Sequence, residues 1–463
     1  MAVRLRGPAA VRCVVSFIHD PIAAMCATYA RHGPLVILGD YIPGIANRKQ
    51  TAFAVGAAYN RAILGDPATW RTAGLVLRGP RGSAQNRLRW GIVRMIGAQH
   101  AYYRRLLSAP LRRTSVARMG GDIARLVEDE LAAWPVGRPT DLWPLAKHLM
   151  RRVSLALLFG EAHQEQGLII ARMIEQHLAA NASAGVMGCP VDLPGTPYRR
   201  MLRHAEEIER CVIAWAARRR GSDDPHDLLA LIVNAPDHTG APPSDTLIAG
   251  HVPTLFGASY ETCQTVLAWT LLLLAQHPQI ARDLVDEIDG AVHGTPPTLA
   301  AVDPLPLLDS VIKESMRLLT PVPYQLRSCT VDTDLVGTPL AIGTRVALSP
   351  HLTNRNPEIY REPDRFMPQR WATIDPSPFE YLTFSAGPRM CIGVWFALAV
   401  LKIALAAALQ RFRVSLIAGS RIDYRISVTM APTAIPAILL PQDRAFAAVP
   451  IRGRVARLLA AQA

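Results

Sequence analysis

The feature that most constrains this chain is the segment FSAGPRMCIG (384–393), which runs directly into a long apolar stretch. The residues that follow, VWFALAVLKIALAAALQ, contain no helix breaker and predict a buried helix. Cys391 therefore lies just before a helix N-terminus, where the helix dipole favours a thiolate. A thiolate is the form of cysteine that binds iron, so the segment predicts a metal-ligating cysteine.

The residues around Cys391 suit that role. Gly387 and Gly393 allow close backbone approach and leave N–H groups free to point at the sulfur. Phe384 is expected to pack beside the sulfur and shield it from water, and Arg389 to neutralise a carboxylate of the bound group. A bare G-x-C-x-G would more simply be a structural cysteine at a helix start, but the fuller pattern argues against that alternative.

The complete pattern, F-x-x-G-x-R-x-C-x-G, resembles the signature of the cytochrome P450 monooxygenases, with every fixed position filled. Two further elements precede it in the family's order: SVIKESMRLL, in which Glu314 and Arg317 share a helix face, and FMPQRW (366–371). An E-x-x-R pair alone is usually a surface pair. The evidence here is the order and spacing of this pair relative to FMPQRW and the cysteine segment. The resemblance implies haem b as cofactor, Cys391 as its axial thiolate, and a buried ion network of Glu314, Arg317 and Arg370.

Other cofactor-binding residues follow from the same resemblance. In GAQHAYYRRLL (97–107), His100 and Arg104 lie one helical turn apart, where the family has an H-x-x-x-R segment that binds the haem propionates. A His/Arg pair alone is usually a surface feature. Arg327, in VPYQLR, matches the family's third propionate-binding position. The haem-binding set implied by the resemblance is thus His100, Arg104, Arg327, Phe384, Arg389 and Cys391.

The oxygen-handling element is expected on the long apolar helix, in FGASYETC (256–263). The family pattern, Ala/Gly–Gly–x–acid–Thr, aligns with residues 258–262. The resemblance makes Glu261 and Thr262 the catalytic pair, with Glu261 relaying protons and Thr262 supplying the oxygen-handling hydroxyl. Ser259 replaces the usual glycine, and can instead bond back to a carbonyl one turn earlier. Without the other motifs, an ordinary Glu-Thr pair on a helix surface would be the simpler interpretation.

The chain as a whole predicts a mainly α fold with a minor antiparallel β part, the cytochrome P450 fold. We expect the haem between the long oxygen-activating helix and the helix after the cysteine. One domain is expected over residues 1–463, without a fused reductase or a membrane anchor. The predicted elements are a strand at 34–39, helices over 98–233 broken at 185–197, a long helix from the loop 234–245 to Gln276 with a kink or start near Pro253, two short helices, and a small sheet at 331–349.

Composition narrows the class further. Hydrophobic residues make up 50% and charged residues 19%, which allows a large core and argues against disorder. The seven cysteines are odd in number, scattered and without a C-x-x-C pair, which disfavours zinc, iron–sulfur clusters and a disulfide framework. The longest apolar run, near 266–275, is about half a bilayer span, and no secretory signal is convincing. We expect a soluble, cytoplasmic, monomeric protein.

The net charge of +13 is spread over dispersed arginines, so a solvated basic surface is one interpretation. No concentrated patch or reader motif supports nucleic-acid binding. With no flavin or nicotinamide domain expected, electrons are predicted to come from a ferredoxin and its reductase, docked on a basic surface. The candidate docking residues are Arg105, Arg112, Arg113, Lys402 and Arg411.

Together these features predict a monooxygenase that inserts one oxygen atom from O2 into a lipophilic small molecule. Ala258, Val322 and Met430 are the candidate substrate-pocket residues, and a terpenoid, steroid-like or fatty acyl substrate fits their apolar character. Two alternatives stay open: a haem-thiolate isomerase, dehydratase or peroxygenase that needs no electron input, and a non-catalytic haem sensor. The intact Glu261–Thr262 pair argues against both.

Overall fold

The computed structural model of the chain describes residues 2–39, 50–73, 77–181, 183–221 and 227–459. Helices dominate this part of the chain. They are α1 Gly7–His19, α2 Pro21–His32, α3 Ala57–Leu64, α4 Ala84–Arg87, α5 Gly97–Ser108, α6 Arg113–Ala132, α7 Leu142–Phe159, α8 Gln164–Asn181, α9 Ala184–Gly188, α10 Pro197–Arg219, α11 Leu228–Asn234, α12 Asp245–Gln276, α13 Pro278–Val292, α14 Leu299–Val302, α15 Pro306–Leu318, α16 Pro350–Thr353, α17 Val394–Arg411 and α18 Arg454–Leu459.

The strands are short and belong to one larger sheet and three small ones. They are β1 Val3–Leu5, β2 Leu35–Leu38, β3 Thr51–Ala54, β4 Trp70–Thr72, β5 Pro139–Asp141, β6 Gln325–Cys329, β7 Thr333–Asp334, β8 Pro339–Leu340, β9 Arg345–Leu348, β10 Phe412–Leu416, β11 Tyr424–Ile426, β12 Met430–Pro432 and β13 Pro436–Pro441. The larger sheet has the order β1-β2-β3-β9-β6-β4. The small sheets are β10-β13-β5, β11-β12 and β7-β8.

Helix α12 is the centre of the molecule. Ser244 caps its start by accepting a hydrogen bond from the Leu247 N–H at 3.3 Å, and His277 follows its end. From Cys263 to Ala275 every residue is buried, because the helix packs against α7, α10, α15 and α17. Pro253 lies inside the helix, so the expectation that the helix starts near this residue is wrong. Pro253 has no N–H to donate to the Ala249 carbonyl one turn earlier, so α12 lacks one backbone hydrogen bond at this point.

Helix α17, which follows the cysteine segment, also belongs to the core. It packs against α6, α12 and α13, and its residues 399–409 are all buried. Among the described residues, α17 is the one helix that is long and apolar enough to cross a membrane by length and composition. Of that stretch, 67% is buried inside the protein. The apolar character of α17 is therefore explained by core packing.

The predicted class, mainly α with a minor β part, is confirmed, as is the strand near 34–39, which is β2. Two details differ. Three helices rather than two follow α12, and the first, α13, is 15 residues long. The stretch 331–349 is not one antiparallel sheet, because β9 joins the larger sheet and pairs in parallel with β3 as well as antiparallel with β6. The partners in β3 and β9 are 294 residues apart, so their pairing leaves no local signal in the sequence.

Candidate functional site

The cysteine segment forms a tight loop ahead of α17. The Cys391 N–H donates to the Phe384 carbonyl at 2.9 Å, which closes the loop, and Ser385 and Gly387 both have positive φ, at 60° and 71°. A Cβ on Gly387 would lie 2.2 Å from the carbonyl oxygen of Leu64 at the end of α3. The glycine is thus required twice, for its backbone conformation and for close packing.

The thiol of Cys391 is accessible although it lies deep among protein atoms. Burial raises its pKa above the usual value, while a hydrogen bond from the Gly393 N–H and the charge of Arg104 oppose that rise. Cys391 in turn contributes to the raised pKa of Cys263, whose main cause is burial. Cys263 follows Thr262 on α12, so the charge of Cys391 acts on the part of α12 that carries the predicted catalytic pair.

Four of the predicted haem-binding side chains converge near the thiol: His100, Arg104, Arg327 and Arg389. Burial, together with the charges of Arg389 and Arg104, lowers the pKa of His100 to about 4. Burial and the charge of Arg389 lower the pKa of Arg327 to about 10. None of the four pairs with an acidic side chain in the described part of the chain, so the cluster is a desolvated concentration of positive charge.

Backbone carbonyls hold these guanidinium groups in place. Arg104 donates to the Met390 carbonyl at 2.8 Å, and Arg389 to the carbonyls of Val93 and Met95. Arg327 donates to the Gln325 side chain at 3.1 Å, and the same Gln325 oxygen accepts from Ser385 of the cysteine loop at 3.0 Å. Sequence reasoning missed Gln325, which ties β6 to the cysteine loop, because nothing in its local sequence singles it out.

These residues fit a haem. A soft thiolate is a suitable axial ligand for haem iron, and the cationic cluster beside it suits two propionate carboxylates. The Nε atom of Arg389 is buried without a hydrogen-bond partner in the described residues, so the cluster retains donor capacity for an anion. Phe384 is partly buried and packs against the main core beside the cysteine loop.

One face of α12 stays accessible where the rest of the helix is buried. Thr254, Ala258 and Thr262, spaced at i, i+4 and i+8, are half-buried or exposed, and the neighbouring Ser259 and Glu261 are half-buried. The Thr262 hydroxyl donates to the Ala258 carbonyl at 3.0 Å. Ser259 donates to the Phe256 carbonyl at 3.0 Å, which is the back-bonding expected for a serine at this position. The helix is continuous through these residues.

The surroundings of Glu261 make it a proton-exchanging group at neutral pH. Burial, together with the nearby carboxylate of Glu175 on α8, raises its pKa to about 7. Lys147 and Arg425 partly offset the effect. Lys147 is itself paired with Glu175 at 2.6 Å. Glu175 was not among the predicted residues, and only the packing of α8 against α12 brings it close.

The predicted ion network is built around the Glu314 carboxylate. Arg317 donates to it through Nε at 2.9 Å and Nη2 at 2.8 Å, and Arg370 through Nε at 3.0 Å. The Trp371 indole and the Met367 N–H add bonds of 3.0 and 2.9 Å. Glu314 and Arg317 have fully buried side chains. The network joins α15 to the segment that leads to the cysteine loop.

The three candidate substrate-pocket residues have different surroundings. Ala258 is exposed on the accessible face of α12, and Val322 is half-buried. Met430 is fully buried in the main core, and its assignment to the pocket stays a prediction. Its backbone is nevertheless close, since the Met430 N–H donates to the Pro321 carbonyl at 2.9 Å. Val428, two residues earlier, is 37% exposed.

The candidate docking residues differ in their exposure to solvent. Arg105, Arg112, Arg113 and Arg411 are exposed, although Arg113 pairs with Asp303 and Arg411 with Glu128. Lys402 is buried and bound to Asp303 and Asp309 at 3.2 and 3.1 Å, so it cannot meet a partner, and its assignment is wrong. Packing of α6, α14 and α15 around α17 buries it, and its ammonium group is compensated by two carboxylates.

Comparison with known protein families gives a match to the cytochrome P450 model over residues 89–435. Among curated proteins, the pentalenene oxygenase of Streptomyces avermitilis is 30% identical over 336 residues, which are 70% of this chain and 74% of that protein. The cyclooctatin synthase of Streptomyces melanosporofaciens is 30% identical over 365 residues, with coverage of 76% and 79%. A Mycobacterium tuberculosis relative named for cytochrome P450 135B1 is 29% identical, and the match spans 66% of its length.

Solved structures share the fold. The cytochrome P450DA haem domain has a TM-score of 0.80 at 21% identity, covering 96% of this chain and 98% of that one. The retinoic acid-bound cyanobacterial CYP120A1 has a TM-score of 0.77 at 21% identity, covering 92% and 96%. TM-scores of this size establish a common fold.

Proposed function

This chain belongs to the cytochrome P450 family, and from that premise we propose that it is a haem-dependent monooxygenase that inserts one atom of O2 into a lipophilic small molecule. The observation that carries the proposal is the packing of α17, which the Cys391 loop directly precedes, against α12, which bears the half-buried Glu261 and Thr262. A thiolate on one side and a proton-exchanging acid with an alcohol on the other are the groups that oxygen activation requires.

The cofactor, when bound, supplies the redox and oxygen-activating chemistry. Cys391 is the proposed iron ligand, and the Gly393 N–H hydrogen bond moderates the charge on its sulfur. His100, Arg104, Arg327 and Arg389 are proposed to orient the cofactor through its carboxylates, a role supported by their convergence without acidic partners.

Proton handling falls to the residues of α12. With a pKa raised to about 7, the Glu261 carboxyl oxygen can both take up and release a proton near neutral pH. The Thr262 hydroxyl donates to Ala258, so its oxygen is free to accept from the distal side. The stacked rings of Phe256 and Tyr260, 4.6 Å apart, seal the opposite face of the helix against water.

The substrate class is supported by the relatives and by the lining residues. The pentalenene oxygenase and the cyclooctat-9-en-7-ol 5-monooxygenase, which is 28% identical, carry names of terpenoid substrates. The exposed Ala258 and the half-buried Val322 present apolar surface in the present chain. We propose a ferredoxin and its reductase as electron donors, with the exposed Arg105 and Arg112 on the docking surface.

The experiment is reconstitution of the haem-loaded protein with NADPH, a ferredoxin and its reductase. A ligand panel is first screened by difference spectroscopy for compounds that bind, and oxygen uptake and product mass are then measured with those compounds. We expect oxygen uptake coupled to a product 16 mass units heavier than the substrate, as insertion of one oxygen atom requires. Product formation without NADPH would instead favour an enzyme that needs no electron input. Binding without any turnover would favour a sensor.

A further inference from the structure

The larger sheet has one face that α1 covers only in part. Side chains paired across neighbouring strands lie on the same face of a sheet. The pairings place one residue from each strand in a single row: Leu5, Leu38, Thr51, Arg345, Ser328 and Arg71. Helix α1 packs on the cluster that contains Leu38, whereas Arg345 and Arg71 near the other end of the row are exposed. The helix and these two arginines therefore lie on the same face of the sheet.

Helix α1 is apolar on its outer side as well as on the side that meets the sheet. Val11, Val15 and Ile18 are spaced at i, i+4 and i+7, so they form one stripe along the helix. Val15 is 59% exposed and Ile18 is 64% exposed. Arg12 and His19 are exposed beside the stripe. Because a surface helix of a globular protein normally turns polar residues outward, the exposed stripe indicates contact with another molecule.

The hairpin of β7 and β8 has an apolar residue in a strained turn at its tip. Leu335 and Thr338 exchange backbone hydrogen bonds of 2.8 and 3.2 Å. The two-residue loop between them, Val336 and Gly337, has φ of 50° and 78°. Such loops favour Asn or Asp before the glycine, because a β-branched residue is disfavoured at positive φ. Val336 is nevertheless 51% exposed, so burial does not offset the strain, and an exposed side chain kept under strain indicates a function.

The hairpin adjoins the exposed arginines. It connects β6 with β9, which begins at Arg345, and beside it Val331 and Ile342 are 50% and 61% exposed. The Arg4 guanidinium donates to the Pro339 carbonyl in β8 at 3.4 Å, which ties the hairpin to β1 and so to the start of α1. The stripe, the arginines and the hairpin thus form a continuous surface, which we call the α1 face. Its exposed side chains include Arg12, Val15, Ile18, Val336, Ile342 and Arg345.

The segments that build the α1 face are positively charged. Residues 2–39 contain four exposed arginines that pair with no acidic side chain in the described part of the chain: Arg4, Arg6, Arg12 and Arg31. The single acid of these residues, Asp20, already binds Arg454 at 3.5 Å. In the hairpin, Asp332 and Asp334 each accept a backbone N–H at 2.7 Å. The unpaired charge that this face offers to a partner is therefore positive.

An anionic lipid bilayer accepts both kinds of side chain. Its phosphate groups attract arginines, and its interface takes up apolar side chains of a helix that lies along it. A second copy of the chain would bring the same positive charge to the contact, since the two faces of a symmetric dimer are identical. A nucleic acid would match the charge but would leave Val15, Ile18 and Val336 without an apolar environment.

We propose that the α1 face docks on the surface of an anionic phospholipid membrane, with α1 along the headgroups and Val336 at the hairpin tip inserted among them. The contact is peripheral and goes beyond the proposed function. Lipophilic compounds concentrate in membranes, so docking places the protein where such a substrate is found. Because lipid binding needs no turnover, a protein that docks but oxidises nothing would refute the proposed function and leave this inference intact.

The test is co-sedimentation of the haem-loaded protein with vesicles at about 0.1 M salt. One set of vesicles contains phosphatidylcholine alone, and the other contains equal parts of phosphatidylcholine and phosphatidylglycerol. We expect binding to the mixed vesicles to be at least about 10-fold tighter, and the preference to shrink as salt rises to about 1 M. Absence of binding, or equal binding to both sets, would overturn the proposal.

The variant Val336→Asn separates the role of this side chain from folding. Asparagine is preferred at this turn position, so the thermal midpoint of unfolding is expected to stay at or above that of the wild type. Loss of the apolar side chain is expected to weaken binding to the mixed vesicles by about 5- to 10-fold. Binding as tight as that of the wild type would contradict insertion of the hairpin.

The double variant Val15→Ser/Ile18→Ser tests the stripe on α1. It is expected to weaken binding to the mixed vesicles by at least about 10-fold, because two apolar side chains are lost from the contact. The matched control is Ile169→Ser on α8, where the isoleucine is 60% exposed. A double variant that binds no more weakly than this control would overturn the assignment of α1.

The double variant Arg12→Gln/Arg345→Gln tests the charge. It is expected to bind the mixed vesicles about 10-fold more weakly and phosphatidylcholine vesicles unchanged. Arg81→Gln/Arg203→Gln removes the same charge from exposed positions on other elements and is the matched control. Equal loss in the two double variants would show that net charge, and not the α1 face, drives the binding.

Light scattering without vesicles tests the alternative of a second copy. We expect a monomer for the wild type and for Ile18→Ser. A dimer that Ile18→Ser converts to a monomer, together with absence of vesicle binding, would assign the α1 face to self-association and overturn the proposal.

Discussion

Removal of Arg317 tests the ion network behind the cysteine loop. Its guanidinium donates twice to Glu314, at 2.9 and 2.8 Å, and also to the carbonyls of Asn354 and Arg365, each at 3.0 Å, and of Pro363. Both members of the Glu314 pair are fully buried. Arg317→Ala therefore leaves a buried carboxylate with part of its compensation and several carbonyls without a donor.

The size of the effect follows from these contacts. Removing one partner of a buried ion pair costs about 3–5 kcal/mol. The lower end applies here, because Arg370 and Trp371 still donate to Glu314, both at 3.0 Å. With about 2.1 cal/mol/K of unfolding entropy per residue, 463 residues give about 1 kcal/mol per degree. We therefore expect the thermal midpoint to fall by about 3 °C.

The assay compares thermal midpoints of haem-loaded proteins at one fixed scan rate, since a protein of this size can unfold irreversibly. The matched control is Arg365→Ala, which breaks an i, i+3 pair with Glu362 in which the side chains are 51% and 39% exposed. Surface pairs contribute about 0–1 kcal/mol, so this control should shift by no more than about 1 °C. If Arg317→Ala shifts the midpoint no further than Arg365→Ala, the buried network is not the stabilising element described here.

Four further predictions concern the site. Cys391→Ser should abolish the red-shifted Soret band of the reduced carbon monoxide complex, because serine supplies no thiolate, and a retained band would disprove the ligation. The pKa of Glu261 is raised from 4.5 to about 7, so the folded protein loses stability as the pH rises from 4.5 to 7, and the loss is complete above pH 7. Glu261→Gln should therefore raise the free energy of unfolding at pH 8 by up to about 3 kcal/mol and leave it unchanged at pH 4.5. Denaturation measured at the two pH values checks this. Thr262→Val should consume NADPH at a comparable rate yet raise the ratio of hydrogen peroxide to product, and an unchanged ratio would point to Ser259 as the oxygen-handling alcohol. If ferredoxin docking is electrostatic, its association rate should fall steeply as salt rises from about 0.1 M to about 1 M, where the Debye length shrinks from about 10 Å to about 3 Å, and a salt-independent rate would assign the positive charge another role.

Local sequence patterns led to the predicted residues of the cofactor site. Cys391 and its neighbouring glycines act through backbone geometry that spans fewer than ten residues, and Glu314 and Arg317 lie one helical turn apart. The spacing of Glu314 and Arg317 on one helix face suggested a pair, but the grouping of these residues into one predicted cofactor site came from the resemblance to the family signature. The mainly α class followed in the same way from apolar periodicity, which a helix expresses locally.

Contacts between distant segments were beyond that reasoning. Lys402 was predicted as a surface charge, but it is buried because α6, α14 and α15 pack around α17, and that packing leaves no local signal in the sequence. Whether an arginine has a counter-charge is likewise a property of the assembled structure. Arg87 and Arg89 stand two residues apart in the sequence, yet Glu209 reaches the first and no described acid reaches the second. The sequence determined which charges and ligands this protein has, through residue types at short spacings. Only the tertiary structure decided which of those charges are neutralised, because an ion pair depends on distance in space and on the solvent that packing removes.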